Sequence, residues 1–169
     1  MEFKLMDLTK YIDLIPLPQV KNKALDLALN LAIPFNRWLG MKIETLSPEK
    51  VIVKSPPRVL RRNHVGGAHA CALALLGEYP AGVLISQNFS VKDYRIIISK
   101  LSVDYEKQGR GTLTAEALAP ADWPKENDDH VIWIEMKTLI RNSKHELVAD
   151  VQTRWQLKKW ADVKKSRLE

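Results

Sequence analysis

Residues 63–78 read N-H-V-G-G-A-H-A-C-A-L-A-L-L-G-E, and this stretch decides the fold. An amide, a glycine pair and a histidine lead into a run of apolar residues that ends at one carboxylate, Glu78. A helix that is apolar on all sides is buried in a folded protein, so we expect a core helix over about 67–84. A buried carboxylate is unfavourable unless it is paired or used. The pattern therefore makes Glu78 a candidate active-site residue.

The composition is typical of a single folded domain. The chain has 169 residues, of which 46% are hydrophobic and 27% charged, values that fit one core of ordinary size. Cys71 is the only cysteine, which excludes an intrachain disulfide and a cysteine zinc cage, and we expect no metal. The run from Val65 to Ile85 contains His69, Glu78 and Pro80, so a core helix is favoured over a membrane span. The first residues alternate charged with apolar positions, unlike a secretory signal, and we expect a cytoplasmic protein.

The net charge of +6 and the pI near 9.4 allow an anionic partner without requiring one. The excess is concentrated in two places. The first is a basic tail with Lys158, Lys159, Lys164, Lys165 and Arg167, and the second is a cluster of Lys54, Arg58, Arg61 and Arg62. The cluster matters more, because it immediately precedes Asn63 and so borders the candidate site.

The periodicity predicts one domain with an α+β fold. We expect an N-terminal helical segment over about 1–35, containing a helix from Leu17 to Leu31, then a core over about 36–160 and a basic tail over 161–169. Strands are predicted before the core helix at 38–46 and 51–53, and after it at 94–106, 112–118, 130–140 and 147–157. The short connections between the last four predict an antiparallel meander. One apolar helix between these strands indicates a sheet wrapped around it.

Together these features resemble the hotdog fold, and the 63–78 motif resembles the helix entry of hotdog acyl-CoA thioesterases of the phenylacetyl-CoA thioesterase type. In that group an Asn precedes a His by six residues and a catalytic Asp or Glu follows the His by nine. Asn63, His69 and Glu78 reproduce both intervals. The chain is similar also to stand-alone, largely uncharacterised thioesterase-like hotdog proteins, which share an R-N-x-V-G-x-H stretch and a later G-R-G turn. The resemblance spans about 38–159.

The resemblance implies hydrolysis of an acyl-CoA or acyl-carrier thioester. Glu78 would act as general base or nucleophile, the Ala70 N–H would stabilise the oxyanion, and Asn63 and His69 would complete the catalytic group. Gly66, Gly67 and Gly82 would shape the substrate pocket, and no cofactor is needed beyond the coenzyme A of the substrate. Two departures bear on activity. The family's His-Gly-Gly is His69-Ala70-Cys71 here, and Gly82 stands where some members carry Thr or Ser.

Helix geometry predicts that two subunits share such a site. Free N–H groups occur only at a helix start, near His69 and Ala70, where the helix dipole also favours negative charge. Glu78 lies eight residues further on, a rise of about 12 Å. One helix can hardly present both groups to one carbonyl, whereas two antiparallel helices across a two-fold axis can. We therefore expect a homodimer or homotetramer, with strands paired edge to edge as the resemblance implies.

The phosphates of coenzyme A call for basic residues near the site. The candidates are Arg61 and Arg62 before Asn63, and Lys107 and Arg110 around the G-R-G turn. Arg110 is favoured because a glycine-flanked turn holds it in place. Each site residue also has an ordinary structural interpretation. Glu78 could pair with a strand cation such as Lys100, Asn63 could be a cap or turn residue, and the histidines could be satisfied at a loop–helix junction.

Three other functions stay open. A non-catalytic acyl-CoA or acyl-carrier binding module would keep the pocket and lose the chemistry, as Ala70, Cys71 and Gly82 would allow. A hydroxyacyl dehydratase would use His64 with Glu78, fourteen residues apart, although its H-F-P-G motif is absent. Nucleic-acid binding is suggested only by charge and by aromatic residues near Trp155 and Trp160, and we expect none. Thioesterase activity on a small acyl thioester ranks first.

Overall fold

The computed structural model of the protein describes residues 18–165. The helices are α1 (Pro18–Ala32), α2 (Ala70–Asn88) and α3 (Trp160–Lys165), with 3-10 helices at Pro34–Leu39 and Val59–Arg61. The strands are β1 (Lys42–Leu46), β2 (Lys50–Ser55), β3 (Tyr94–Tyr105), β4 (Leu113–Leu118), β5 (Val131–Asn142) and β6 (Leu147–Lys159). Residues 1–17 of the predicted helical segment and 166–169 of the predicted tail lie outside the described part.

The six strands form one antiparallel sheet in the order β1-β2-β4-β5-β6-β3. The predicted meander is correct for β4, β5 and β6 and wrong for β3, which pairs with β6 at the far edge and not with β4. The long consecutive strands β5 and β6 form a hairpin. β3 is of similar length and pairs with β6 over its whole extent, from Tyr94 to Tyr105. The shorter β4 pairs with β2 instead.

The core helix is confirmed, with later bounds than predicted. It begins at Ala70 because residues 63–67 form a tight turn with Gly66 at φ +80°, and it continues through Pro80 to Asn88. Its buried side chains, which include Leu73, Leu76 and Leu84, pack on the concave face of the sheet. By length and composition α2 is the one helix of residues 18–165 that could cross a membrane. Its burial against the sheet makes it a core helix.

The first predicted strand is shorter than expected. Residues 38–41 are not part of β1, because the Pro34–Leu39 3-10 helix extends to Leu39 and is capped by Gly40. Gly40 adopts the left-handed conformation, with φ +58°. The chain turns there and enters β1 at Lys42. This arrangement places the Pro34–Leu39 helix and α1 beside α2, where they contribute to the walls of the candidate site.

Asp26 joins α1 to β1 and gives the fold a pH dependence. Its carboxylate accepts from the Ile43 N–H at 3.0 and 3.1 Å. Burial raises the pKa of Asp26 from 3.8 to about 6, against the opposing effects of that hydrogen bond and of the Lys42 charge. Below the unfolded-state pKa the group is neutral in both states and costs nothing. As the pH rises from 3.8 to about 6, the unfolded chain ionises first while the buried carboxyl stays protonated. The contribution of Asp26 to the free energy of unfolding therefore falls across this pH range and is lost once the buried carboxyl ionises.

We therefore expect Asp26→Asn to remove this loss. The stability of the variant relative to the parent protein should increase by about 1–3 kcal/mol between pH 4 and pH 7. Urea unfolding at several pH values measures it, with the exposed Asp122→Asn as the matched control. A constant difference between Asp26→Asn and the parent at every pH would contradict the assignment.

Candidate active site

Glu78 lies in an apolar cavity of about 390 Å³, which we name the acid cavity. Its walls come from α1, the Pro34–Leu39 helix, one side of α2 and two strands. The main apolar lining residues are Leu25, Leu29, Phe35, Tyr79, Ile96 and Trp155. Within residues 18–165 the Glu78 carboxylate has no hydrogen-bond or ion-pair partner. The expected alternative, a structural pair with Lys100, is therefore wrong.

The acid cavity changes the ionisation of two of its lining residues, Glu78 and Tyr79. Burial raises the pKa of the Glu78 carboxyl above its usual 4.5. Burial, and then the charges of Asp26 and Glu78, raise the pKa of Tyr79. The Tyr79 hydroxyl stays protonated, and it has no hydrogen-bond partner in the described part of the chain. It is thus free to donate to Glu78 or to a ligand oxygen.

Gly82 lies one turn after Glu78 and is needed for packing. A Cβ at this position would lie 3.0 Å from the Trp155 ring and 3.5 Å from Glu78 Oε1. The Trp155 ring, held by a hydrogen bond of 2.8 Å from its Nε1 to Thr153 Oγ1, occupies the space beside the glycine. The absence of a Thr or Ser at this position therefore goes together with a large aromatic residue on β6.

Asn63 organises the loop before α2. Its Oδ1 accepts from the N–H groups of Val65 and Gly67 at 3.2 and 3.0 Å, and its backbone N–H donates to the Gly67 carbonyl at 2.8 Å. The turn role expected as the simpler alternative is thus present. The Asn63 Nδ2 group has no acceptor among residues 18–165 and remains available to a ligand.

The start of α2 presents one free N–H group. His69 is the N-cap, and its Nδ1 accepts from the Cys71 N–H at 3.1 Å, which leaves the proton of a neutral ring on Nε2. The N–H groups of Ala72 and Leu73 donate to the His69 carbonyl. The Ala70 N–H has no acceptor in the described part of the chain. Ala70 is therefore available as an oxyanion donor, whereas His69 is exposed and lines neither the cavity that contains Glu78 nor the one beside Ala70.

A second cavity of about 390 Å³, the entry cleft, adjoins this helix start. Asn63, Ala70 and Tyr105 line it together with Glu106 and Gly109. The Tyr105 hydroxyl donates to the Ala70 carbonyl at 3.1 Å, and the Ala68 N–H donates to Gly109 at 2.7 Å. The entry cleft thus holds the donors, whereas the acid cavity holds the carboxylate. Glu78 does not line the entry cleft, as the rise of about 12 Å along α2 predicts.

The three predicted pocket glycines and His64 lie in different parts of the site region. Gly66 adopts its positive φ in the turn, and a Cβ on Gly67 would lie 2.5 Å from the Gln108 side chain. Neither glycine lines the acid cavity or the entry cleft, and Gly82 lines the acid cavity. His64 is exposed and lines neither cavity, so within the described chain it does not join Glu78 in a common pocket.

The four predicted phosphate ligands differ in accessibility. Arg61 is buried, and its guanidinium donates to the carbonyls of Ser55 and Gly111 and to the Ser55 hydroxyl, so it ties the G-R-G turn to β2. Burial, and then the charge of Arg62, lower the pKa of Arg61. Lys107 pairs with Glu146 at 2.7 Å. Arg62 and Arg110 are exposed, and Arg110 donates to Gln108 at 2.7 Å.

Several site residues were missed by sequence reasoning. Trp155 was counted among exposed aromatic residues, but it is buried at 5% exposure and forms a wall of the acid cavity. The alternation of Leu147 to Leu157, which places residue 155 on the inner face, was the signal that could have found it. Tyr105 and the contribution of α1 carry no such signal, because they depend on how distant segments pack. In residues 18–165 no His, Cys, Asp and Glu residues cluster closely enough to hold a metal.

A six-stranded antiparallel sheet wrapped around one core helix defines the hotdog fold. The chain belongs to the family described as Domain of unknown function (DUF4442), which matches residues 21–157. No curated protein matches the chain.

Solved structures with the same fold include proteins described as thioesterases. PA5026 of Pseudomonas aeruginosa, described as a protein of unknown function and probable thioesterase, has a TM-score of 0.73 and 23% identity over 86% of this chain and 98% of its own. Thioesterase HI1161 of Haemophilus influenzae has a TM-score of 0.67 and 13% identity, over 82% of this chain and 90% of its own. A mutant of thioesterase PA1618 of Pseudomonas aeruginosa has a TM-score of 0.70 and 12% identity, over 82% of this chain and 94% of its own. These similarities confirm the hotdog fold.

Proposed function

We propose that this protein hydrolyses an acyl-CoA thioester at a site formed by two subunits. The observation that carries the proposal is Glu78, a carboxylate in an apolar cavity that has no partner within residues 18–165 and lies on the same helix as the free Ala70 N–H. A raised pKa keeps a carboxylate basic enough to accept a proton from water. The thioesterase names of proteins with the same fold agree with this chemistry.

In the proposed reaction a water oxygen attacks the thioester carbonyl carbon while Glu78 accepts a proton from the water. The Ala70 N–H of the partner subunit stabilises the oxyanion, with His69 and Asn63 of the same helix entry as further donors. The carbon–sulfur bond then breaks, the thiolate takes up the proton, and a carboxylic acid and free coenzyme A leave. Direct attack by Glu78 would instead form an anhydride that water opens, with the same products.

An uncovered surface supports the shared site. On β3, Leu101 and Tyr105 lie opposite Thr153 and Ala149 of β6, so they face the concave side of the sheet. Their partners on β6 are buried, but Leu101 is 40% and Tyr105 50% exposed, because α2 does not cover the sheet edge. Within residues 18–165 the other edge of β3 is also unpaired. An exposed strand edge with apolar residues is a surface on which a second copy can continue the sheet.

We expect the protein to be a homodimer or a tetramer built from it, and Leu101→Asp to dissociate the dimer. The substitution introduces a charge on the concave face that the partner would cover. Ile97→Asp is the matched control, because Ile97 is similarly exposed at 44% but faces the outer side of β3. Light scattering at micromolar concentration measures the mass. A folded monomer before any substitution would refute the shared site.

The acid cavity supports an acyl group with a sizeable apolar body. An apolar cavity of about 150 Å³ holds one benzene molecule. The acid cavity is more than twice that size and contains Glu78 as its one ionisable carboxylate among the lining residues of the described chain. We therefore propose medium-chain or aryl acyl groups over acetyl as substrates.

A non-catalytic binding module is the second candidate, and a specific observation favours it. Gly82 provides no hydroxyl that could hold a water near Glu78, and the Trp155 ring, 3.0 Å from a Cβ at this position, crowds the space beside it. Two measurements separate the candidates. Thermal-shift screening with short, long and aromatic acyl-CoAs reports binding whether or not catalysis occurs. Release of free thiol from the acyl-CoA that binds supports the thioesterase, whereas binding without release supports the module.

A further inference from the structure

An open cleft of about 490 Å³ is lined in part by Asn30 and Arg37, the same stretch of chain that contributes to the wall of the acid cavity; we name it the basic cleft. Four cationic side chains, Lys23, Arg37, Lys42 and Arg58, line it together with one acid, Asp26. None of the four forms an ion pair with a carboxylate of residues 18–165. Asp26, which accepts from the Ile43 N–H, can offset only one of these four charges, so the cleft has an excess of positive charge.

The two arginines are held in place without being neutralised. Arg37 Nε donates to the Asn30 carbonyl at 2.6 Å, and Arg58 Nη1 donates to the Arg37 carbonyl at 3.3 Å. The Arg58 guanidinium also packs against Gly40, where a Cβ would lie 2.1 Å from its Nε. Both acceptors are neutral carbonyls, and the remaining guanidinium N–H groups have no acceptor among residues 18–165. Guanidinium groups fixed in this way are suited to phosphate oxygens, which they bind with paired hydrogen bonds.

The basic cleft and the acid cavity share a stretch of chain. Asn30 and Arg37 line the basic cleft, and Ile33, Phe35 and Asn36, which lie between them in sequence, line the acid cavity. A ligand with an apolar end and a phosphorylated end joined by a flexible arm can therefore occupy both. An acyl-CoA has this form, with a pyrophosphate and a ribose phosphate at one end.

We propose that the basic cleft binds the phosphates of the nucleotide end of acyl-CoA, an assignment that rests on the proposed function. The entry side is less suited to this role. There Arg61 is buried on carbonyl oxygens and Lys107 is paired with Glu146. Arg110 is held by neutral acceptors on Gln108 and Val65, but neither it nor Arg62 lines the entry cleft, whereas four cations line the basic cleft. Arg37 and Arg58 therefore replace Arg110 as the favoured phosphate ligands.

Adenosine 3′,5′-bisphosphate, the nucleotide end of coenzyme A, is the probe, and calorimetry measures its binding. We expect Arg37→Met and Arg58→Met each to weaken binding about tenfold, as loss of a charged hydrogen-bonding group does. Lys42→Gln should weaken bisphosphate binding less than the arginine variants do. Because the Lys42 side chain is exposed, this variant should fold and gives a second measurement if an arginine variant does not. Arg110→Met is the matched control and should bind as the parent protein does. An equal loss in Arg110→Met, or binding no tighter than that of inorganic phosphate, overturns the proposal.

Kinetics keep the two proposals apart. For Arg37→Met we expect a higher KM for acyl-CoA with kcat retained, and a lower preference for acyl-CoA over an N-acetylcysteamine thioester, which lacks the nucleotide. If neither thioester is hydrolysed by the parent protein, the proposed function fails, and the bisphosphate titration still decides the basic cleft. If both are hydrolysed but the preference is unchanged in Arg37→Met, the proposed function stands and the cleft assignment fails.

Discussion

Glu78→Gln is expected to lower acyl-CoA hydrolysis by about two orders of magnitude or more, because removal of a general base costs at least this much. Gln keeps the size of the side chain and removes only its capacity to accept a proton. The substitution also removes a buried carboxyl whose pKa burial has raised, so the fold should remain stable. In the parent protein the rate should rise with pH through this raised pKa as the base ionises, and free-thiol release measures both effects.

Two carboxylates serve as comparisons for that result. Glu135 is exposed on the outer side of the sheet, so Glu135→Gln should hydrolyse the substrate at the parental rate. Glu106 lines the entry cleft of the same subunit as Ala70. A large loss in Glu106→Gln with little change in Glu78→Gln would place the base there, and would contradict the assignment of Glu78.

The second large effect concerns the contact between α2 and the sheet. A Cβ on Gly77 would lie 2.3 to 2.8 Å from the side-chain atoms of Val151 on β6, which is fully buried. A β-branched side chain cannot turn aside easily. We therefore expect Gly77→Ala to destabilise the protein by about 1–3 kcal/mol, as overpacking does, although Ala is otherwise the better residue in a helix.

Gly82→Ala is the matched comparison on the same helix. Its Cβ would lie 3.0 Å from the edge of the Trp155 ring, a contact that a small shift of the ring relieves. The loss of stability should therefore be smaller than in Gly77→Ala. Urea unfolding of the two variants gives the difference. If Gly77→Ala were as stable as the parent protein, α2 would not approach β6 as closely as described.

The local features of the site followed from the sequence. An apolar run with a single carboxylate predicted both the buried helix and Glu78, and the intervals from Asn63 to His69 to Glu78 identified the helix entry. These features depend on neighbours within a few turns of one helix. The separation of donors from carboxylate also followed, because the rise per residue of a helix is fixed.

Features that depend on distant segments did not follow from the sequence. The alternation of β3 predicts a strand, but no local pattern says that it pairs with β6 in preference to β4. The acid cavity requires Leu25 and Phe35 to reach α2, and the basic cleft gathers cations from 23 to 58. Such contacts arise from the packing of the whole chain, which periodicity does not describe.

The shared site is tested most directly by mixing two inactive variants, Glu78→Gln and Asn63→Ala, after unfolding and refolding them together. If each site takes Glu78 from one subunit and the helix entry from the other, half of the dimers are mixed and one of their two sites is intact. The account predicts recovery of about a quarter of the parental acyl-CoA hydrolysis, since statistical mixing gives that share of intact sites. No recovery above the separate variants, with mixed dimers demonstrated by mass spectrometry, would show that each site lies within one subunit and would contradict the account.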